Sequence, residues 1–316
     1  MPPLVEYVRH WWSVPVLRSQ VDGNAVPQVS RVVEASRLVR GRRRREPALK
    51  AVVLARGLGT RMKAADEAAR LDDDQDAAAG SGVKALVPIE GRPFLDYVLS
   101  GLADAGVTEA CLVIGPEHTA LRERYARLAP PGRLRTAFAI QERPRGTADA
   151  VLAAETFAAG QEFLMVNSDN YYPVSALRAL VSLGRPGTVL FTPEGLAARS
   201  NIDPARIAGF ALARLDAEGR LAALIEKPDE AAIRAMGTPR RVSMNCWRFD
   251  PAIFDACRGL SPSARGELEI TDAVTALIAG GHRFETLTSD EGVLDLSRRA
   301  DIAAVLEFLR GAAVNL

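Results

Sequence analysis

The chain has 316 residues, 48% of them hydrophobic, and its 40 basic and 39 acidic residues leave a formal net charge of +1. Such a balance excludes the large electrostatic footprint of a protein that binds DNA or an anionic membrane. No stretch approaches the roughly 18 apolar residues that span a bilayer, so we expect a cytoplasmic protein without nucleic-acid or membrane partners. The three cysteines lie far apart, without Cys-x-x-Cys spacing, and fit a reducing compartment.

Residues 1–46 differ in composition from the rest of the chain. They contain nine arginines against four acidic residues. We predict a poorly ordered basic N-terminal extension here; the Arg-rich, acid-poor bias leaves a transit peptide open as the alternative. The remaining residues, 47–316, are predicted to form one folded domain.

Buried strands alternate with helices in the first part of that domain. The predicted strands are Lys50–Ala55, Ala110–Gly115, Thr136–Gln141 and Phe163–Asn167. The predicted helices cover Pro93–Ala105, 118–128, 147–158 and 174–182. This alternation predicts a parallel sheet with helices on both faces, and ligands at the carboxyl ends of the strands.

After about residue 187 the pattern becomes strand-rich. The predicted strands are Thr188–Phe191, Gly209–Leu215, Leu221–Ile225 and Val242–Phe249, with a hairpin turn at Asp216–Gly219. Helices are predicted near 267–279 and 299–310. The two halves together predict an α/β fold of three layers around a mixed, mainly parallel sheet.

The first predicted strand runs into a glycine-containing loop, Arg56–Met62. Glycines at this place let backbone N–H groups approach a phosphate chain, and Arg61 adds a cation. The spacing matches neither the Rossmann fingerprint nor a P-loop, because the third glycine and the Gly-Lys-Ser/Thr element are absent. Taken alone, the loop fits a phosphate site and a tight turn equally well.

Six motifs in sequence order resemble those of the sugar-1-phosphate nucleotidyltransferase family. They are Leu54–Met62; Lys84–Ile89 with Gly91–Leu95; Gln141 with Pro144 and Gly146–Ala150; Val166–Asn170; Ala208–Phe210 with Ile225–Pro228; and Leu294–Asp295. The resemblance covers most of residues 50–311. It implies a Rossmann-like, GT-A-type nucleotidyltransferase catalytic domain that joins an NTP to a sugar 1-phosphate and releases pyrophosphate. It also implies Mg²⁺ as the cofactor and homo-oligomers as one form of assembly.

The resemblance assigns roles to individual residues. The implied catalytic residues are Arg61, Lys84 and Asp169, and the implied metal ligands are Asp169 and Asp295. The implied nucleotide-binding residues are Leu54, Ala55, Gly57, Gly59, Thr60, Gln141, Gly146 and Thr147. The implied sugar-phosphate-binding residues are Gly209, Glu226, Lys227 and Asn245. These residue types suit the chemistry, because Mg²⁺ takes one or two carboxylates plus substrate phosphates, and cations neutralise charge on transferring phosphate.

The chain departs from the family pattern in several places. Arg56 stands where the family has a small residue, so the loop carries a second cation that either touches phosphate or crowds the base. The interval between Arg61 and Lys84 is long, and we predict a flexible, solvated insertion over 63–83, with a lid over the nucleotide as the alternative. Val83 replaces the proline that usually precedes the lysine, and Asn167–Ser168 replaces Leu-Gly before the metal carboxylate.

Two other functions remain open on these residues. One is cytidylyl or guanylyl transfer to a non-sugar phosphate acceptor, and the other is a non-catalytic nucleotide-sugar sensor. The nucleobase is also open, because Gly146–Ala150 is typical of adenylyl enzymes whereas Ser168–Asn170 is typical of thymidylyl enzymes.

Overall fold

A computed structural model describes residues 49–66, 68–126, 132–263 and 265–316. The basic extension predicted for residues 1–46 lies outside these ranges. Within them, none of the helices combines the length and the apolar composition that crossing a membrane requires.

The strands lie close to the predicted positions in the first half of the domain. In chain order they are β1 Lys50–Leu54, β2 Pro88–Ile89, β3 Arg92–Pro93, β4 Glu109–Ile114, β5 Arg135–Ile140, β6 Phe163–Asn167, β7 Asn170–Tyr171, β8 Gly187–Phe191, β9 Ala211–Leu215, β10 Leu221–Ile225, β11 Arg241–Phe249, β12 Glu285–Ser289 and β13 Leu294–Asp295.

The main sheet is mixed. Its order is β10-β9-β11-β6-β1-β4-β5, and β8 branches from β11 and pairs with β12. Strands β6, β1, β4 and β5 run parallel, whereas β11 pairs antiparallel with β6, β8 and β9. The parallel part therefore brings the carboxyl ends of four strands to one edge, where the sequence places its glycine loop and Asp169.

The helices include short ones that the sequence pattern did not predict. In chain order they are α1 Thr60–Lys63, α2 Asp73–Ser81, α3 Phe94–Asp104, α4 Thr119–Ala126, α5 Thr147–Ala153, α6 Glu155–Ala158, α7 Val174–Ser182, α8 Pro193–Arg199, α9 Pro204–Ile207, α10 Glu230–Met236, α11 Ala252–Arg258, α12 Ile270–Ala279 and α13 Asp301–Leu309. A 3₁₀ turn covers Lys84–Leu86.

Two apolar cores lie on opposite faces of the sheet. Along β1, Ala51 and Val53 face one core and Val52 faces the other, as the two-residue period of a strand requires. The first core is shared with α3, α7 and α13, and the second with α5, α11 and α12. The three-layer α/β architecture predicted from the sequence is therefore confirmed.

The segment predicted as a flexible insertion over 63–83 is instead partly helical. Its helix α2 begins with a capping box, in which Asp72 accepts from the backbone N–H of Gln75 and the Gln75 side chain accepts from that of Asp72. Ala79 packs into the first core, and Arg299 pairs with Asp76. The prediction of a solvated surface holds for most of the helix, but the prediction of flexibility was wrong.

The predicted helix over 147–158 is also corrected, because it divides into α5 and α6 at Ala154. The three cysteines are buried and unpaired, in agreement with the sequence. Burial raises the pKa of the Cys111 thiol to about 12, so this thiol is not a nucleophile at neutral pH.

Candidate active site

The glycine loop after β1 is fixed against the segment that carries Lys84. Gly59 adopts a left-handed φ of 62° immediately before α1. A Cβ atom on Gly59 would lie 2.1 Å from the backbone oxygen of Gly82, so only glycine fits this contact. A Cβ atom on Gly57 would meet nothing within 4 Å. The structure therefore requires a glycine at Gly59 for packing and leaves Gly57 open to the cleft.

A cleft of about 470 Å³ opens at the carboxyl ends of the parallel strands. It brings together most of the residues that the sequence assigned to the site. These are Leu54, Ala55, Gly57, Gly59, Thr60, Arg61, Lys84, Gln141, Gly146, Thr147, Asp169, Lys227, Asn245 and Asp295. Gly209 and Glu226 do not line it, although their neighbours Phe210 and Lys227 do.

Lys84 and Asp169 form an ion pair inside this cleft. The Nζ atom of Lys84 donates to Oδ2 of Asp169 over 2.8 Å. Burial lowers the pKa of Lys84, but the adjacent charge of Asp169 and the hydrogen bond between them outweigh it, and the net pKa lies above its ordinary value. Lys84 is therefore a fixed cation at neutral pH. Arg61 is exposed at the same cleft.

A two-stranded ladder brings Asp295 beside Asp169, although 126 positions separate them in the numbering. Strand β7 pairs antiparallel with β13, and Asn170 stands opposite Asp295. The backbone N–H of Leu296 donates to the backbone oxygen of Asp169 over 2.8 Å. The pairing of β7 with β13 therefore explains why the two carboxylates that the family resemblance paired lie beside each other.

The carboxylate of Asp295 is held more tightly than that of Asp169. Its Oδ2 accepts from Nη2 of Arg206 over 2.6 Å, and its Oδ1 accepts from Asn170 and Ser297 over 3.1 and 2.9 Å. Burial and the charge of Asp169 raise the pKa of Asp295, and Arg206 opposes this. Sequence reasoning missed Arg206, since no motif signals a contact between residues so distant in the chain.

The other end of the cleft is formed by Gln141, Gly146 and Thr147. The Nε2 atom of Gln141 donates to the backbone oxygen of Gly146 over 3.0 Å and to Oδ2 of Asp149 over 2.9 Å. Both donors of the amide are thereby used, and Oε1 is the atom left for a ligand. Asp149 is a second residue that sequence reasoning missed as part of the site.

Gly146 and Thr147 also have structural roles. Gly146 has a φ of 112°, and a Cβ atom there would lie 2.5 Å from the backbone oxygen of Leu268. The hydroxyl of Thr147 accepts from the backbone N–H of Ile270 over 2.9 Å, at the start of α12. Both residues therefore join α5 to α12 besides lining the cleft.

The predicted sugar-phosphate residues are only partly brought together. Lys227 and Asn245 line the cleft with positive φ values of 44° and 58°, uncommon for residues other than glycine. Glu226 instead faces Arg265, with 3.9 Å between the charged groups, and burial raises its pKa despite that cation. The roles of Glu226 and Gly209 remain predictions.

Comparison with known proteins agrees with this geometry. A family model for nucleotidyl transferases matches residues 80–296. The chain is 32% identical over 260 residues to a glucose-1-phosphate thymidylyltransferase of Streptomyces antibioticus, covering 81% of this chain and 65% of the relative. It is 29% identical over 260 residues to the low-salt glycan biosynthesis nucleotidyltransferase Agl11 of Haloferax volcanii, covering 80% of this chain and 64% of the relative. The chain thus spans slightly less than two thirds of these relatives.

A solved structure of UDP-glucose pyrophosphorylase complexed with UDP-glucose has the same fold, with a TM-score of 0.64 and 16% identity. The match covers 82% of this chain and 97% of that one. Since the family match extends over more than half of the sequence, and the motifs that resemble the family meet mainly in one cleft, the chain belongs to the nucleotidyl transferase family.

Proposed function

We propose that this protein transfers a nucleotidyl group from an NTP to a sugar 1-phosphate, in a Mg²⁺-dependent reaction that releases pyrophosphate. One observation carries the proposal. The Lys84–Asp169 pair lies in the same cleft as Asp295, the glycine loop and Gln141. A cation for the phosphates and carboxylates for a metal ion are parts that phosphoryl transfer needs.

The chain's own residues act mainly by position and charge. Lys84 and Arg61 would hold the triphosphate, and their charges would stabilise the negative charge that develops on the α-phosphate and on departing pyrophosphate. An oxygen of the sugar phosphate attacks the α-phosphorus, and the bond from that phosphorus to the bridging oxygen of the β-phosphate breaks. The attacking phosphate oxygen is already anionic, so the step requires no protein nucleophile.

The Asp169 carboxylate fits a magnesium ion that is bound together with the nucleotide, and Asp295, which accepts three hydrogen bonds, keeps one lone pair on Oδ2 for it. Among the described residues, Asp169 accepts a hydrogen bond only at Oδ2, and Oδ1 is free of partners. The same ranges contain no cluster of three or more acidic, histidine or cysteine side chains that could hold a metal alone. Mg²⁺ commonly binds through one or two carboxylates plus substrate phosphates, so Asp169 and Asp295 would hold it with the triphosphate. When bound, the ion neutralises phosphate charge.

The substrates to try first follow from the relatives. The Streptomyces antibioticus relative is named a glucose-1-phosphate thymidylyltransferase. We therefore propose dTTP and glucose 1-phosphate as the first pair, with a sugar 1-phosphate as the acceptor class.

The test is pyrophosphate release by purified protein with Mg²⁺, using ATP, GTP, CTP, UTP and dTTP against several sugar 1-phosphates. Release that requires one NTP and one sugar phosphate, and that EDTA abolishes, is the expected result. No release from any pair, with NTP binding still measurable, would reject sugar-phosphate transfer in favour of a non-sugar acceptor or a sensor.

A further inference from the structure

Arg56 lies at the base end of the cleft, two residues beyond the end of β1. In the parallel sheet Leu54 pairs with Val113 of β4, and Val113 pairs with Ala139 of β5. Strands β1, β4 and β5 each continue into a loop at the same edge of the sheet. Two residues further along, Arg56, Gly115 and Gln141 therefore stand in one row, with Gly115 in the middle.

The side chain of Arg56 crosses over Gly115. A Cβ atom on Gly115 would lie 2.5 Å from Nε of Arg56 and 2.4 Å from each carboxylate oxygen of Glu117. The guanidinium therefore lies over the end of β4, on the side of β1 that leads to β5. Asp169 follows β6 on the opposite side of β1. Arg56 and Gln141 therefore lie on one side of β1, and Asp169 lies on the other.

The guanidinium of Arg56 is held in place, but only part of its hydrogen-bonding capacity is used. Nε and Nη2 donate to the Glu117 carboxylate over 3.3 to 3.4 Å. The side chain is only 8% exposed, yet its Nη1 atom is buried without a hydrogen-bond partner among the described residues. A buried charged donor without a partner is costly, so a native site normally supplies one. Arg56 also lines the cleft.

We propose that, when the nucleotide binds, the Arg56 guanidinium rotates so that Nη1, which is buried in this structure, donates a hydrogen bond to an acceptor atom of the nucleobase, next to the base atom that Oε1 of Gln141 accepts from. This rests on the proposed function, because it assigns the base of the same NTP. Arg56 is thereby a residue that contributes to nucleotide affinity and base preference, and Glu117 positions it.

The experiment measures equilibrium binding of the NTPs and of tripolyphosphate to the full chain and to Arg56→Ala, without any sugar phosphate. Loss of one charge-assisted hydrogen bond is expected to weaken the preferred NTP about tenfold. The affinity for tripolyphosphate, which has no base, is expected to change less than about twofold by the same reasoning. The differences in affinity among the NTPs should also shrink.

The control is Arg143→Ala, which removes an exposed arginine near Gln141 that does not line the cleft. It should leave all affinities unchanged, and unfolding curves would show that both variants are folded. Unchanged NTP binding by Arg56→Ala, or equal weakening of NTP and tripolyphosphate, would overturn the assignment to the base. Absence of pyrophosphate release rejects the proposed function separately, since binding is measured without turnover.

Discussion

The Nζ atom of Lys84 lies 2.8 Å from Oδ2 of Asp169, so the predicted triphosphate cation is paired with a predicted metal ligand. Arg206 pairs in the same way with Asp295 over 2.6 Å. Each carboxylate of the site thus has its own cation before substrate arrives. Under the proposed function, a triphosphate in the cleft would compete with Asp169 for Lys84, and Asp169 would then be free to bind the proposed magnesium ion.

Replacing Asp169 tests the metal assignment. Asp169→Asn keeps the shape of the side chain and removes its charge, so we expect turnover to fall by more than about tenfold, which is about 1.4 kcal/mol of barrier. Asp74→Asn is the matched control, because Asp74 is exposed on α2. Steady-state kinetics over a range of Mg²⁺ concentrations is the measurement. Turnover by Asp169→Asn within tenfold of the parent would show that the assignment is wrong.

The two glycines of the loop give a matched pair. Gly59→Ala forces a left-handed residue and a clash with Gly82, and we expect it to destabilise the fold by at least about 1 kcal/mol. Gly57→Ala meets no atom within 4 Å and should fold normally. If the loop backbone approaches the triphosphate at Gly57, the Gly57→Ala variant should nevertheless bind NTP more weakly than the parent protein. Urea unfolding and NTP binding measure the two effects, and equal stability of both variants would contradict the packing argument.

Strands β1, β4 and β6 could be predicted because they are buried on both faces. Phe163–Asn167 was predicted as a strand and is β6 with the same bounds. A continuous apolar run bounded by polar residues is a local sequence signal for such a buried strand. Helices α8 to α10 do have start signals, because Thr192, Asp203 and Asp229 cap them. These helices, α11 and strand β12 are too short for a clear apolar period, so their extent depends on packing that the sequence does not display.

The site could be predicted only where a motif signals it. Asp169 and Lys84 lie in recognisable motifs, whereas the contact of Arg206 with Asp295 joins residues from separate elements and has no local signature. Arg56 was noticed as an unusual residue, but its direction over Gly115 depends on strand order. Long-range contacts of this kind require the tertiary structure.

The capping box of α2 did have a signature in the sequence, namely Asp72 followed by Gln75. Asp72→Ala removes the cap, and we expect the helix to lose about 1 kcal/mol of stability. Hydrogen exchange of amides 73–81 should therefore become faster. Asp73→Ala is the control, because Asp73 is exposed in the first turn but does not cap. Equal exchange rates in the two variants would show that the box does not stabilise the segment.

Glu269 is expected to make the free energy of unfolding depend on pH. Burial, a hydrogen bond with Glu267 and the charges of Glu226 and Glu267 raise its pKa from 4.5 to about 7, although Arg265 opposes the shift. The folded state thus binds a proton more tightly than the unfolded state, and stability should fall as pH rises from about 4.5 to about 7. Unfolding free energies measured across this range should show a smaller slope for Glu269→Gln. Glu307→Gln, at an exposed position on α13, should keep the slope of the parent.

Asp149 fixes the amide of Gln141, which is only 4% exposed. In Asp149→Asn the new amide can offer either a donor or an acceptor to Gln141, so Oε1 of Gln141 is no longer held towards the cleft. We expect KM for the preferred NTP to rise about threefold to tenfold, with kcat little changed and weaker discrimination between bases. Arg145→Ala is the control, because it removes the ion pair with Asp149 but leaves the contact with Gln141. Comparing kcat/KM for the preferred and next-best NTP is the measurement. Unchanged discrimination in Asp149→Asn would mean that Gln141 keeps its orientation without the carboxylate.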